Sequence, residues 1–220
     1  MDSLTIIQKE LLAKGAEAVI YEGSFFQTPI ILKHRLPKPY RLPEIDQTIR
    51  LHRLRVEARL LTEAWKNGAR VPVLYGIDTG NFALLIEKIQ GEILFSLMNS
   101  TKIPILKSIF EGIGEQVGLL HENDIIHGDL TVFNVIIKKE NSSWFIDFGL
   151  GQISNELEKK ADDLLTFYST LKAISPNYKI LFDEFQLGYI KVCKKGRKTF
   201  EHMKKIQSRA RYIAREDRLE

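Results

Sequence analysis

A single cysteine, Cys193, is all the thiol chemistry that this 220-residue sequence offers. It cannot close an internal disulfide, and no second cysteine stands at the spacing of a zinc knuckle, so a disulfide scaffold and a cysteine-built metal site are both excluded. Long apolar runs are missing too. Charges interrupt every hydrophobic stretch before the ~18 residues that a membrane-spanning helix requires. The opening MDSLTIIQKE has neither the charged head nor the apolar core of a signal peptide. The expectation is a cytoplasmic protein with no membrane partner. Internal repeats and low-complexity segments are also lacking. The net charge is small, +4, but unevenly spread, because residues 191–220 carry 11 Lys or Arg against 4 Asp or Glu. The other 190 residues sum to −3. A basic tail on a mildly acidic body suits binding to phosphate backbones as well as a solvated helix face.

What is present, 44% apolar and 27% charged side chains, fits one or two packed domains. Short β-branched runs at 16–23 and 29–35 predict strands joined by a turn over 23–29. Residues 44–68 predict a long basic helix, with Ile45, Ile49, Leu60, Leu61 and Ala64 at helical spacing and Asn67-Gly68 as its stop. Runs at 71–78 and 82–89 predict two more strands around the turn DTGN. After Gly91 the pattern is mostly helical, with helices at 104–123, 157–174 and 178–192. A β hairpin over 132–149 interrupts it. The reading is an α+β chain with a β-rich N-terminal lobe (1–88) holding one long helix, a mainly helical C-terminal lobe (89–220) ending in the basic tail, and a hinge near 87–91.

The chemistry concentrates at 127-HGDLTVFN-134 and 147-DFG-149. Asp129 and Asn134 have the spacing of a base carboxylate and a metal-binding amide in a kinase catalytic loop, and Asp147 adds a second oxygen ligand beyond the hairpin. Such hard oxygen ligands suit magnesium. In the front lobe, Lys33 ends the strand IILK where a phosphate-gripping lysine is expected. Glu57 is the candidate to hold it, with Glu44 and Glu63 as rivals. The loop KGAEA at 14–18 has one glycine where the kinase pattern has three. His127 reads as structural. Gly128 replaces the arginine of HRD, which argues against control by activation-loop phosphorylation. No APE motif follows DFGLGQIS, so the platform for a peptide substrate is missing.

With GAEA at 15–18, LKHRLPKPYR at 32–41, EARLL at 57–61, VPVLY at 71–75, HGDLT at 127–131, DFGL at 147–150 and KKADDL at 159–164, nearly the whole chain resembles the small atypical kinase or ATPase subunits of the KEOPS complex, the PRPK family. The resemblance implies a minimal two-lobed protein-kinase-like fold without an activation segment. It implies atypical serine/threonine kinase or ATPase activity in service of threonylcarbamoyladenosine synthesis on tRNA. ATP and magnesium would be the cofactors. Lys33, Glu57 and Asp129 would be catalytic, Asn134 and Asp147 would hold the metal, and Gly15, Ala16, Glu17, Glu87 and Ile89 would complete the nucleotide contacts. A threonylcarbamoyl transferase subunit would dock on the C-terminal lobe and a small helper subunit on the N-terminal lobe. Arg209 and Arg211 lie in the tail expected to face tRNA or a partner. Ala210 and Gly151 depart from the usual family residues. The residues alone leave a second possibility, a free-standing phosphotransferase of the aminoglycoside or choline kinase type, and a third, a nucleotide-binding scaffold. They also leave open whether the phosphate acceptor is water, the chain itself or a partner.

Overall fold

The computed structural model describes residues 7–15 and 17–216, without the side chains of 7–9 and 210–216. Strands β1 (Ile7–Lys14), β2 (Ala18–Phe25), β3 (Thr28–Arg35), β4 (Leu74–Asp78) and β5 (Ala83–Glu87) form an antiparallel sheet in the order β1-β2-β3-β5-β4. The side-chain period of two sets what β3 shows to each face. Ile30 and Leu32 join Ala83 and Leu85 in a small cluster on one side. Residues 31, 33 and 35 point to the other, where helix α1 (Pro43–Lys66) lies. On that helix Leu54, Ala58 and Leu61, one turn apart in succession, are buried together with Leu60 and Ala64. Ile45 is 52% exposed, contrary to the helical pattern read from the sequence. The first turn of α1 is fastened instead by Asp46, which accepts the Arg50 Nε–H at 2.6 Å and the Lys38 N–H at 3.2 Å. Gly68, with φ of +81°, ends the helix region where the sequence placed its stop.

Two local features differ from expectation. The β2–β3 turn is only two residues long, with Phe26 and Gln27 at φ of 47° and 65°. Both values match the turn type whose twist continues that of the strands, so the strands run on further than the glycine and proline boundaries suggest. The strand β1 has no counterpart in the sequence reading. Its IQKELLAK is rich in helix formers and Leu11 and Leu12 are 58% and 52% exposed, so pairing with β2, from Ile7↔Ser24 to Lys14↔Val19, decides its conformation.

The second lobe begins with β6 (Glu92–Ile93) and α2 (Leu94–Ser100), followed by α3 (Ile103–Glu122) and β7 (Ile125–Ile126). A 3-10 turn (Val132–Asn134) precedes β8 (Val135–Ile137) and β9 (Ser143–Phe145), so the expected hairpin starts three residues late. The order β6-β8-β9 makes a small sheet. Then come β10 (Gln152–Ile153), α4 (Leu157–Ile174), α5 (Tyr178–Val192) and α6 (Gly196–Glu216). This is the expected minimal kinase-like arrangement, a β-rich lobe with one long helix and a mainly helical lobe.

Helices α3 and α5 pack backbone to backbone. A Cβ on Gly114 would lie 2.0 Å from the Phe185 carbonyl oxygen, and one on Gly188 would lie 1.9 Å from that of Glu111. The glycines let the helices approach, and Phe110, Phe167, Phe185 and Tyr189 close the core around them with no more than trace exposure. Each such ring contributes about 1.5–3 kcal/mol by burial.

Candidate active site

Lys33 is 6% exposed within β3, two residues before its end, and its Nζ donates to Glu57 Oε1 and to Asp147 Oδ1, both at 2.6 Å. Strand alternation turns Lys33 toward α1, and the helix presents Glu57 on its buried side. The rivals are elsewhere: Glu63 pairs with Lys66 at 3.3 Å, and Glu44 is exposed in the first turn. Glu57 holds a second cation, because its Oε2 accepts the Arg35 Nη2–H at 2.5 Å. One buried carboxylate thus anchors two basic side chains from alternate positions of one strand. Asp147 has φ of +65° and also accepts the Gly149 N–H at 3.1 Å. Burial pushes its pKa up, but the Lys33 charge and hydrogen bond and the Gly149 amide outweigh this and hold it below 3.8.

Asn134 folds back on the catalytic loop. Its Nδ2 donates to the Asp129 carbonyl at 2.8 Å and to Asp129 Oδ2 at 3.0 Å, which orients the carboxylate and leaves the Asn134 amide oxygen for a cation. His127 is fully packed, 4.5 Å from the Phe148 ring. Its Nε2 lies 3.1 Å from the Ile146 carbonyl and so donates, while Nδ1 accepts the Asp129 N–H at 3.3 Å. The ring is therefore the neutral Nε2–H tautomer. Burial lowers its pKa below 6.5 against the opposing pull of Asp163 and Asp147.

The catalytic loop hangs on Asp163 of α4, 3% exposed. Its Oδ2 accepts the His127 N–H at 2.6 Å, and its Oδ1 accepts the Gly128 N–H at 2.8 Å. His121 adds a contact from Nε2 at 3.2 Å and meets the Tyr189 hydroxyl at 2.8 Å through Nδ1. Gly128 has φ of +80°, and a Cβ there would stand 2.1 Å from the Leu150 carbonyl oxygen, so only glycine fits. The chain after Gly149 is held against the same loop. Gln152 and Ile153 pair with Ile126 and Ile125, and the Ser154 N–H donates to the Asp124 carbonyl at 2.8 Å. Helix α4 begins three residues later, which leaves no length for an activation segment.

A cavity of about 170 Å³ is lined by Glu17, Lys33, Arg35, Arg53, Asp129 and Asp147, together with β2 side chains and the turn after Asp147. Gly15 and Glu17 lie in the short connection between β1 and β2, and Ala16 is outside the described residues. Glu87 ends β5, and Ile89 lies in the connection from β5 to β6. The Glu87 carboxylate accepts the Val73 N–H at 3.2 Å and lines a separate cavity of about 590 Å³ that contains neither Asp129 nor Asp147. Ile89 is 8% exposed. Arg209 is exposed near the end of α6, and the Arg211 side chain is outside the described residues. Sequence reasoning passed over Arg35, Arg53 and Asp163. All three lie within segments quoted as family-like or as helix, but their partners are far away in sequence.

These oxygens fit a magnesium ion shared with phosphate. Among the described residues no group of three or more His, Cys, Asp or Glu side chains could hold a metal alone. Asp147 and Asn134 supply two oxygen donors, the sparse set with which magnesium binds beside phosphates.

The RIO domain family matches residues 44–166. The chain is 37% identical over 217 residues to the KEOPS complex subunit Bud32 of Pyrococcus abyssi, covering 94% of this chain and 97% of that protein. It is 35% identical to the EKC/KEOPS complex subunit bud32 of Dictyostelium discoideum, covering 91% and 82%. It is also 41% identical over 201 residues to a probable bifunctional tRNA threonylcarbamoyladenosine biosynthesis protein of Methanosphaera stadtmanae. That match covers 91% of this chain but 36% of the relative, so the chain spans little more than a third of the bifunctional protein.

Proposed function

The chain belongs to the Bud32 family of KEOPS subunits, and from that premise we propose that it is an ATP-hydrolysing atypical kinase supporting threonylcarbamoyladenosine formation on tRNA. The observation that carries this reading is Lys33 bridging Glu57 and Asp147, with Asp129 and Asn134 joined at 3.0 Å beside it.

In this reading Lys33 grips the α and β phosphates of ATP, and Glu57 keeps it extended. Asp147 and Asn134 would hold magnesium, which would supply positive charge to the phosphates. Asp129, oriented by Asn134, accepts the proton of the attacking water or hydroxyl. The 590 Å³ cavity holds none of these groups, and the smaller one is assigned to the phosphates on chemistry rather than size. The hinge around Glu87 and Ile89 receives the base, and Gly15 to Glu17 cover the phosphates. The short stretch between Gly149 and α4 offers no peptide platform, which favours a role inside an assembly. The partners are a threonylcarbamoyl transferase subunit on the helical lobe, a small helper on the β lobe, and tRNA along the tail holding Arg209 and Arg211. A cytoplasmic location belongs to the same reading. Among the described residues no helix is long and apolar enough to cross a membrane.

The deciding measurement is ATP turnover by the purified chain alone, with the transferase subunit, and with tRNA added. Turnover should rise in the presence of the partners. Turnover that neither addition changes overturns the coupled ATPase.

A further inference from the structure

We propose that Arg53 binds the terminal phosphate of the nucleotide and that Glu17 competes with that phosphate for it; this rests on the ATP reading above. Arg53 stands four residues before Glu57 on α1, so it occupies the same helix face one turn away. Its Nη1 donates to Glu17 Oε2 at 2.5 Å, and both residues line the cavity shared by Lys33, Arg35, Asp129 and Asp147.

The three cations of that lining are held very differently. Lys33 and Arg35 are nearly fully buried, and both are fixed by Glu57. The Arg53 side chain is 27% exposed, and its acceptor Glu17 is 47% exposed on a loop. Such a pair is worth little in water and is the most readily exchanged of the set. A phosphate with two charges and three oxygens outbids one carboxylate, and the planar guanidinium can meet it through two parallel hydrogen bonds.

The covering loop creates the need for this cation. A glycine-rich loop would offer backbone amides to the phosphates, but the Gly15 N–H is already bonded to the Ala18 carbonyl at 2.9 Å. Arg53 supplies donors from the helix instead. Arg35 Nε, buried without a hydrogen-bond partner among the described residues, leaves a further donor in the same wall. Asp129 lines the same space, so a phosphate on Arg53 lies beside the carboxylate that receives the acceptor's proton.

The test is titration of the full chain with the magnesium complexes of ADP and of a non-hydrolysable ATP analogue, for wild type, Arg53→Ala, Arg53→Lys and Glu17→Gln. Arg53→Ala should weaken the ATP analogue about tenfold or more, the worth of a charge-assisted hydrogen bond, and change ADP less than about threefold. Arg53→Lys should recover part of the loss. Glu17→Gln should tighten the ATP analogue by removing its competitor. Equal losses for both nucleotides in Arg53→Ala, or a loss in Glu17→Gln matching that in Arg53→Ala, overturns the proposal while leaving ATP binding intact. A wild-type chain that binds neither nucleotide overturns the ATP reading itself and this proposal with it.

Discussion

At the scale of single residues, the carboxylates of the candidate site differ in what holds them. Glu57 and Asp147 are fixed by cations, whereas among the described residues Asn134 alone donates to the Asp129 carboxylate. Asp129→Asn should therefore lower ATP turnover by ~10²–10⁴-fold, the range for loss of a general base, with nucleotide affinity kept. Turnover and a binding titration on the same preparation check this; unchanged turnover would remove Asp129 from the role of general base. His127 sets a pH dependence of stability. Its folded-state pKa is lowered from 6.5, so below that value the unfolded chain binds a proton that the folded chain refuses. Its contribution is complete above pH 6.5 and is lost as pH falls toward its depressed value. Melting temperature measured between pH 7.5 and 5.5 should fall more steeply for wild type than for His127→Phe. Asp147 acts in a lower window, since its pKa is depressed from 3.8; its contribution is present above 3.8 and disappears as pH drops through the folded-state value.

At the scale of elements, the sequence was most legible where periodicity and punctuation agree. Pro43 and Gly68 bracket α1, and α4 and α5 have the limits that their apolar spacing predicts. The strand β1 was illegible because its conformation comes from pairing with β2 rather than from its own residues. The site divides the same way. Lys33, Asp129, Asn134 and Asp147 stood out by local spacing; Glu57 was the candidate partner and the resemblance pointed to it, but spacing alone left Glu44 and Glu63 as rivals until the Lys33–Glu57 contact separated them. Asp163 was hidden for the same reason, being 35 and 36 residues from the amides it receives. Asp163→Ala leaves the buried His127 N–H without an acceptor, at ~1–3 kcal/mol, and also frees the part-buried Gly128 N–H, so it should lower both the melting point and kcat. Asp163→Asn, with one acceptor oxygen left, should fall between it and wild type. Nucleotide affinity should move little in either, because Asp163 does not line the cavity. The α3–α5 contact makes a separate prediction. Gly188→Ala puts a Cβ 1.9 Å from a carbonyl oxygen of the other helix and should cost ~1–3 kcal/mol, read as a fall of about 2–4 °C in melting temperature per kcal/mol.

At the scale of the whole molecule, charge separates from chemistry. The acidic body holds the candidate active site, and the +7 segment at 191–220 runs into α6, whose exposed lysines and Arg209 are available to a polyanion. A chain ending before Lys204 should bind tRNA with a flatter dependence of log K on log salt, because fewer counterions are released. An unchanged slope would remove the tail from the contact. The pinning of residues 152–154 to 124–126 also has a consequence in time. Kinases that must swing a segment into position start slowly, whereas among the described residues here no such segment lies between Asp147 and α4. Product formation after mixing with ATP should be linear from the first turnover, without a lag. What a partner changes is then the height of that line and not its shape.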